Sequence, residues 1–155
     1  RPLFVLLCAA PAVAADPPVR VASGVSGHIH PAVCITKAGT VLVVFGQSDM
    51  KDLRVARSAD GGKTWAEPVP FAPSAGTSIY PGSLTALADG RVVHAWNVWY
   101  PDAAAKGGKS RFVRYAVSGD DGRTWGDPVD LPKPTPADPH SVVRHPLVEL
   151  SPTAW

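Results

Sequence analysis

The sequence predicts an all-β chain built from repeated four-stranded units, and three observations predict it. Proline (17 residues) and glycine (14) interrupt the chain so often that no stretch of about ten residues keeps a clean helical period free of both, which argues against long helices. Short apolar runs separated by turn residues take their place, as strands do. An octet at residues 58–65, SADGGKTW, returns nearly unchanged at 118–125 as SGDDGRTW, with the same order of segments around both copies. Of the thirteen acidic residues only Glu67 and Glu149 are glutamate. The aspartates suit turns, because their short side chains reach the backbone amides that follow them.

Residues 3–15, LFVLLCAAPAVAA, have the length of the apolar part of a secretory signal. They end on small residues of the A-x-A type at Ala12 and Ala14 and lead into the polar DPPVR. Residues 1–15 therefore read as a signal peptide truncated at its start, which places the mature chain outside the cytoplasm, secreted or periplasmic; a buried N-terminal strand is the alternative. Cys8 lacks the small preceding residue of a lipoprotein cysteine, since Leu7 stands there. Removal of the signal leaves Cys34, in AVCIT, as a small buried hydrophobe with no partner for a disulfide. Residues 16–26 are a linker or first strand, and 27–155 form the repeat domain.

The first unit runs HPAVCITKAGTVLVVFG and then DLRVARSADGGKTWAEPV; the second runs YPGSLTALADGRVVHAWNVW and then RFVRYAVSGDDGRTWGDPV; a third opens at HPLVEL. Each full unit supplies an X-Pro opening with a first strand, a tight turn (Lys37 to Gly39, Ala88 to Gly90) and a second strand. A third strand ends in the octet, and a fourth runs into Glu67-Pro68-Val69 or Asp127-Pro128-Val129. The octet has a physical job between the third and fourth strands. Asp60 or Asp120 accepts backbone N–H bonds from its own loop, Gly62 or Gly122 takes positive φ, and Thr64 or Thr124 re-enters a strand. Trp65 and Trp125 pack over the hairpin.

The pattern S-x-D-x-G-x-T-W, carried by Ser58, Asp60, Gly62, Thr64 and Trp65 and again by Ser118, Asp120, Gly122, Thr124 and Trp125, resembles the Asp-box of the bacterial neuraminidase repeat. That repeat belongs to the sialidase superfamily and to other secreted propellers. The resemblance implies a β-propeller of four-stranded blades, six when complete, of which these residues supply an N-terminal fragment of about two and a half. It also implies that the Asp-box residues are structural. Four-stranded units at this repeat length suggest propeller blades on physical grounds as well.

Strands in a blade alternate direction, so the strand-one openings and the two-to-three connections share one face, while the one-to-two turns and the octets share the other. The first face holds His28 to Pro31, Tyr80-Pro81, Arg144-His145-Pro146 and the connections QSDMKD (47–52) and YPDAAAKGGKS (100–110). His30, Tyr80 and His145 each precede the opening proline and would ring a funnel that binds ligand; packing around the X-Pro step is the alternative. Trp99 and Tyr100 would stack on a sugar ring or end the second strand as core residues.

In sialidases an R-I-P opening supplies one of three arginines that grip the substrate carboxylate. Here HIHP puts Ile29 in that place, while Arg144, in RHP, has the R-x-P spacing in the third unit and could hold an acidic group or stand solvated. The family's general acid follows strand two. By resemblance it falls on Asp49 in GQSDMKD, with Asp52 second, and the alternative for Asp49 is a solvated loop acid. The family's tyrosine nucleophile and assisting glutamate lie late in the fold. Tyr80, Tyr100 and Tyr115 show no reason to pair with Glu67 or Glu149.

The resemblance therefore implies a secreted sialidase-like glycoside hydrolase that removes a terminal acidic sugar from a glycoconjugate. The alternative is a non-catalytic Asp-box propeller that binds carbohydrate or protein. A net charge of +2 is too small to argue for nucleic acid. No apolar run of about 18 residues marks a membrane span in the mature chain. His28 and His30 project from one side of a strand but find no third ligand at convincing spacing, and no G-x-S-x-G, phosphate loop or H-E-x-x-H occurs, so neither metal nor cofactor is expected.

Overall fold

Strands form where the apolar runs alternate with turn residues. The structure, a computed structural model, describes residues 16–23, 30–46, 53–71, 78–99, 111–132, 143, 145–151 and 154. The described residues are all-β and make two antiparallel four-stranded sheets with no helix among them. The first sheet contains β1 (Ala32–Ile35), β2 (Val41–Gly46), β3 (Leu53–Ser58) and β4 (Val69–Pro70), paired in that order. The second contains β5 (Ser78–Ala86), β6 (Val92–Trp99), β7 (Arg111–Ser118) and β8 (Val129–Asp130), again in chain order. Each expected unit is thus one sheet, a meander in which every strand pairs with the next.

The registers of the two sheets match. Val41 stands opposite both Ile35 and Ser58, and Val92 stands opposite both Ala86 and Ser118. The turns match too: Thr36 N–H donates to the Thr40 carbonyl (2.9 Å) and Leu87 N–H to the Arg91 carbonyl (2.8 Å). The same bond recurs from Leu150 N–H to the Ala154 carbonyl (2.8 Å), so the third segment opens as the other units do.

Two details depart from expectation. The fourth strands are only two residues long, because Pro68, Pro70 and Pro128 offer no N–H to a ladder. Tyr80-Pro81 lies inside β5 instead of opening it. The strand starts at Ser78, and Pro81 falls in a register jump between Tyr80 and Ser83 where no donor is required.

The sheets pack face to face. Leu42, Val44, Leu53, Val55 and Phe71 of the first unit meet Leu84, Val92, Trp96, Val98, Phe112 and Ala116 of the second in one buried cluster. Phe71, held next to β4 by its N–H bond to the Leu53 carbonyl (2.8 Å), is its hub. Its ring meets those of His94 (4.8 Å), Trp96 (5.1 Å) and Trp125 (5.1 Å) edge to face. The opposite face of the second sheet is covered in turn. Asn97 donates to the Val143 carbonyl (2.9 Å) and accepts from Val143 N–H (2.6 Å), and Thr85 Oγ1 accepts from Leu147 N–H (3.1 Å). First sheet, second sheet and third segment therefore form successive layers.

Candidate functional site

The two octet loops close on themselves through local bonds. Ser58 donates its hydroxyl to Asp60 Oδ1 (2.7 Å) and accepts from Gly62 N–H (2.8 Å). Thr64 gives Asp60 its backbone N–H (2.9 Å) and its hydroxyl (2.6 Å). Ser118, Asp120, Gly122 and Thr124 repeat these bonds at 2.8, 2.9, 2.8 and 2.5 Å. The bonds from Thr64, then Ser58, hold the Asp60 carboxyl far below its ordinary value; those from Thr124 hold Asp120 at about 2. A carboxylate so engaged by its own loop is a poor proton donor. Gly62 and Gly122 take φ of 93° and 74°, as the motif requires. Trp65 donates its indole N–H to the Gly62 carbonyl (3.0 Å), while Trp125 turns onto Phe71.

One residue in the second loop does more than close it. Asp121, at φ 65°, stands where the first loop has Gly61. Its carboxylate accepts from the Thr40 hydroxyl (2.5 Å) and from Arg57 Nη2 (3.1 Å), and its carbonyl accepts from Arg57 Nη1. Burial opposes ionisation of Asp121, but hydrogen bonds from Thr36 and Thr40 and the Arg57 charge outweigh it and lower the pKa. A second tie joins the turns: Lys37 Nζ donates to the Ala88 carbonyl (3.0 Å), while Ala88 N–H donates to Glu149 Oε2 (2.8 Å). The octets and the one-to-two turns therefore occupy one end of the layers and hold them together. Cys34 lies beside this clasp, its thiol pushed up to about 11 by burial and by the Asp121 charge, as suits an inert packing residue.

The other end of the strands presents His30 and Tyr80. Tyr80 stands opposite Asn97, at the end of β5 remote from the Ala86–Val92 turn, and is 38% exposed. Its ring lies 6.2 Å from that of the exposed His30, with the planes at 75°. His30 itself takes φ 33°. Successive sheets thus place these two residues edge to face at one mouth. His145 is exposed on the third segment. Counted back from Leu150 as His30 is counted from Thr36, it falls at the place of Pro31, one step inside His30. Trp99 ends β6 opposite Ser78 and Arg111. Asp49, Asp52, Tyr100 and Arg144, together with His28, Ile29 and the 1–15 signal, lie outside the described residues.

Sequence reasoning missed Arg57, Thr40 and Asp121, although of the three differences between the octets (Ala59/Gly119, Gly61/Asp121 and Lys63/Arg123) the second alone sets a charged side chain against none and was a visible signal. It also missed a groove of about 450 Å³ beside the outer strands of the first sheet, lined by Val19–Ser23, Arg54, Trp65 and Glu67. This groove does not include the His30–Tyr80 pair.

No family model matches the sequence, and no curated protein does. Among solved structures, 65% of the chain superposes on a protein of unknown function from Dyadobacter fermentans DSM 18053, at 23% identity and a TM-score of 0.52. A further 23%-identical match, to the Hadza microbial sialidase Hz136, covers 62% of the chain with a TM-score of 0.46. The chain spans 35% and 23% of those two proteins' lengths. The likeness to the Dyadobacter protein is one of fold alone. Among the described residues no helix is long and apolar enough to cross a membrane.

Proposed function

We propose that the chain is part of a secreted, sialidase-like β-propeller that binds a terminal acidic sugar of a glycoconjugate at the His30–Tyr80 end and hydrolyses its glycosidic bond. The observation that carries this reading is the division of the molecule: both octets are consumed in structural bonds at one end, whereas equivalent positions of successive sheets bring an exposed aromatic pair together at the other. The stacking supports further blades as well. Leu84 and Val92 on the second sheet are covered by the first sheet, but the matching face of the first sheet leaves Val33 and Ile35 61% and 67% exposed, as a place for another sheet.

In this reading residues 1–15 are the secretory leader, the octets are Asp-boxes, and the ring faces contact the C–H face of the sugar. Asp49, with Asp52 second, gives its proton to the leaving oxygen as the glycosidic bond breaks, and the oxygen of a water molecule finally takes the place of the departed alcohol on the anomeric carbon, its proton restoring the acid. His145, Arg144, Trp99 and Tyr100 complete the same face. The test is turnover by the complete secreted protein. Asp49→Asn lowers kcat/KM for a sugar leaving group by about two to four orders of magnitude and affects an activated aryl sialoside much less. Equal losses on both substrates would remove Asp49 from the acid's role. Ile29 favours a second reading, a propeller that binds carbohydrate without cleaving it. Sialoside binding that is abolished by Tyr80→Ala, in a protein with no turnover, would establish it.

A further inference from the structure

β5 carries one residue more than β1 between its turn and its mouth. Ala86, Thr85, Leu84 and Ser83 stand opposite Val92, Val93, His94 and Ala95, as Ile35, Cys34, Val33 and Ala32 stand opposite Val41, Leu42, Val43 and Val44. Beyond that point β1 has Pro31 alone before His30, whereas β5 has both Gly82 and Pro81 before Tyr80. An unbroken ladder would carry Tyr80 on to face Val98, which is fully buried between the sheets. The register instead jumps, so that Tyr80 faces Asn97 and the extra residue loops out. Gly82 makes this possible. It takes φ 70°, and a Cβ there would stand 2.8 Å from Trp96 Cα, 3.0 Å from the Ala95 carbonyl carbon and closer still to its oxygen. All of these are backbone atoms of β6, which cannot give way as a side-chain tip can.

We infer that Gly82 is a positioning residue for the ligand-facing end: by absorbing the extra residue of β5, its bulge brings Tyr80 into the place that His30 holds in the first sheet, and so creates the two-ring corner. The inference rests on the proposed reading of that end as ligand-facing. It also narrows the ligand class, because rings inclined at 75° form a corner and not a flat platform. That corner fits a single pyranose, with its C–H face on one ring and a hydroxyl hydrogen-bonded to the other.

The experiment compares Gly82→Ala with deletion of Gly82 and follows nuclear Overhauser contacts between the His30 and Tyr80 rings in the ligand-free protein. The alanine variant loses the contacts, since the bulge can no longer form. The deletion keeps them, since a continuous ladder then pairs Tyr80 with Asn97 without any bulge. If Gly82→Ala does not fold, the deletion still decides. Lost contacts in a folded deletion variant, or contacts retained in the alanine variant, overturn the inference. Binding of a sialyl glycoside should follow the ring contacts across the two variants. If the unaltered protein binds none, the functional reading fails while the ring contacts still judge Gly82.

Discussion

Gly62 and Gly122 occupy the same place in the two octets, and the structure predicts that replacing them by alanine has unequal consequences. Both have φ in the left-handed region, at 93° and 74°, so each alanine carries the backbone penalty of about 1–2 kcal/mol. Their surroundings differ. A Cβ on Gly62 meets only the Trp65 ring edge, at an ordinary 3.8 Å, whereas a Cβ on Gly122 would lie 2.6 and 3.2 Å from the two methyl carbons of Leu42. Leu42 is fully buried between the sheets and cannot swing into solvent. Overpacking of that kind costs about 1–3 kcal/mol more. Gly62→Ala should therefore lose about 1–2 kcal/mol and Gly122→Ala about 2–5, read as shifts of the urea midpoint at constant m. The double variant Leu42→Ala with Gly122→Ala should lose less than the sum of its parts, because the added methyl occupies space the leucine vacates. Equal losses at the two glycines would refute the argument, since they would mean that the second loop is not sealed against the first sheet.

Phe71→Ala should cost about 3–5 kcal/mol, the scale for a deleted core aromatic, because this ring joins the second sheet's His94, Trp96 and Trp125; a loss below about 1 kcal/mol would place it outside the core. A double-mutant cycle on Arg57 and Asp121, whose side chains are only 19% and 15% exposed, should give a coupling of about 1–2 kcal/mol, and additive losses would show that the clasp does not join the sheets. Acid should weaken the fold in a defined window. Asp120 has an ordinary value of 3.8 and a folded value of about 2, so its contribution is complete above about pH 4 and is lost as pH falls towards 2. The urea midpoint should fall over that range, and Asp120→Asn should flatten part of the fall; a midpoint constant from pH 5 to 2 would contradict the loop bonding.

What the sequence disclosed and what it concealed divide along the reach of the interactions. Every bond inside an octet joins residues a few positions apart, so Ser58, Asp60, Gly62 and Thr64 announce their loop before any tertiary structure is considered. The strand order was legible for the same reason, since each strand pairs with its successor across a connection. The division of ends was argued from strand parity, and the structure sets the His30 and Tyr80 rings 6.2 Å apart. The clasp of Asp121 on Thr40 and Arg57 joins residues far apart in sequence and leaves the Gly61/Asp121 difference as its one local trace, with nothing to name its partners. The bulge at Gly82 emerges only when the two sheets are aligned from their turns, because its cause is an extra residue and not a residue type.

These hidden features are all differences between copies of one unit. A loop whose bonds are internal can close any hairpin of this kind, so the shared residues specify the four-stranded unit but not its neighbours. Neighbour choice must then reside where the copies diverge. Asp121 reaches back to Arg57 where Gly61 has no side chain to offer, Gly122 is sealed against Leu42 where Gly62 stands open, and β5 carries a bulge that β1 does not need. Exchanging Gly61 and Asp121 between the loops should accordingly leave each loop's own bonds intact while removing the carboxylate's bonds to Thr40 and Arg57, and the urea midpoint should fall with them.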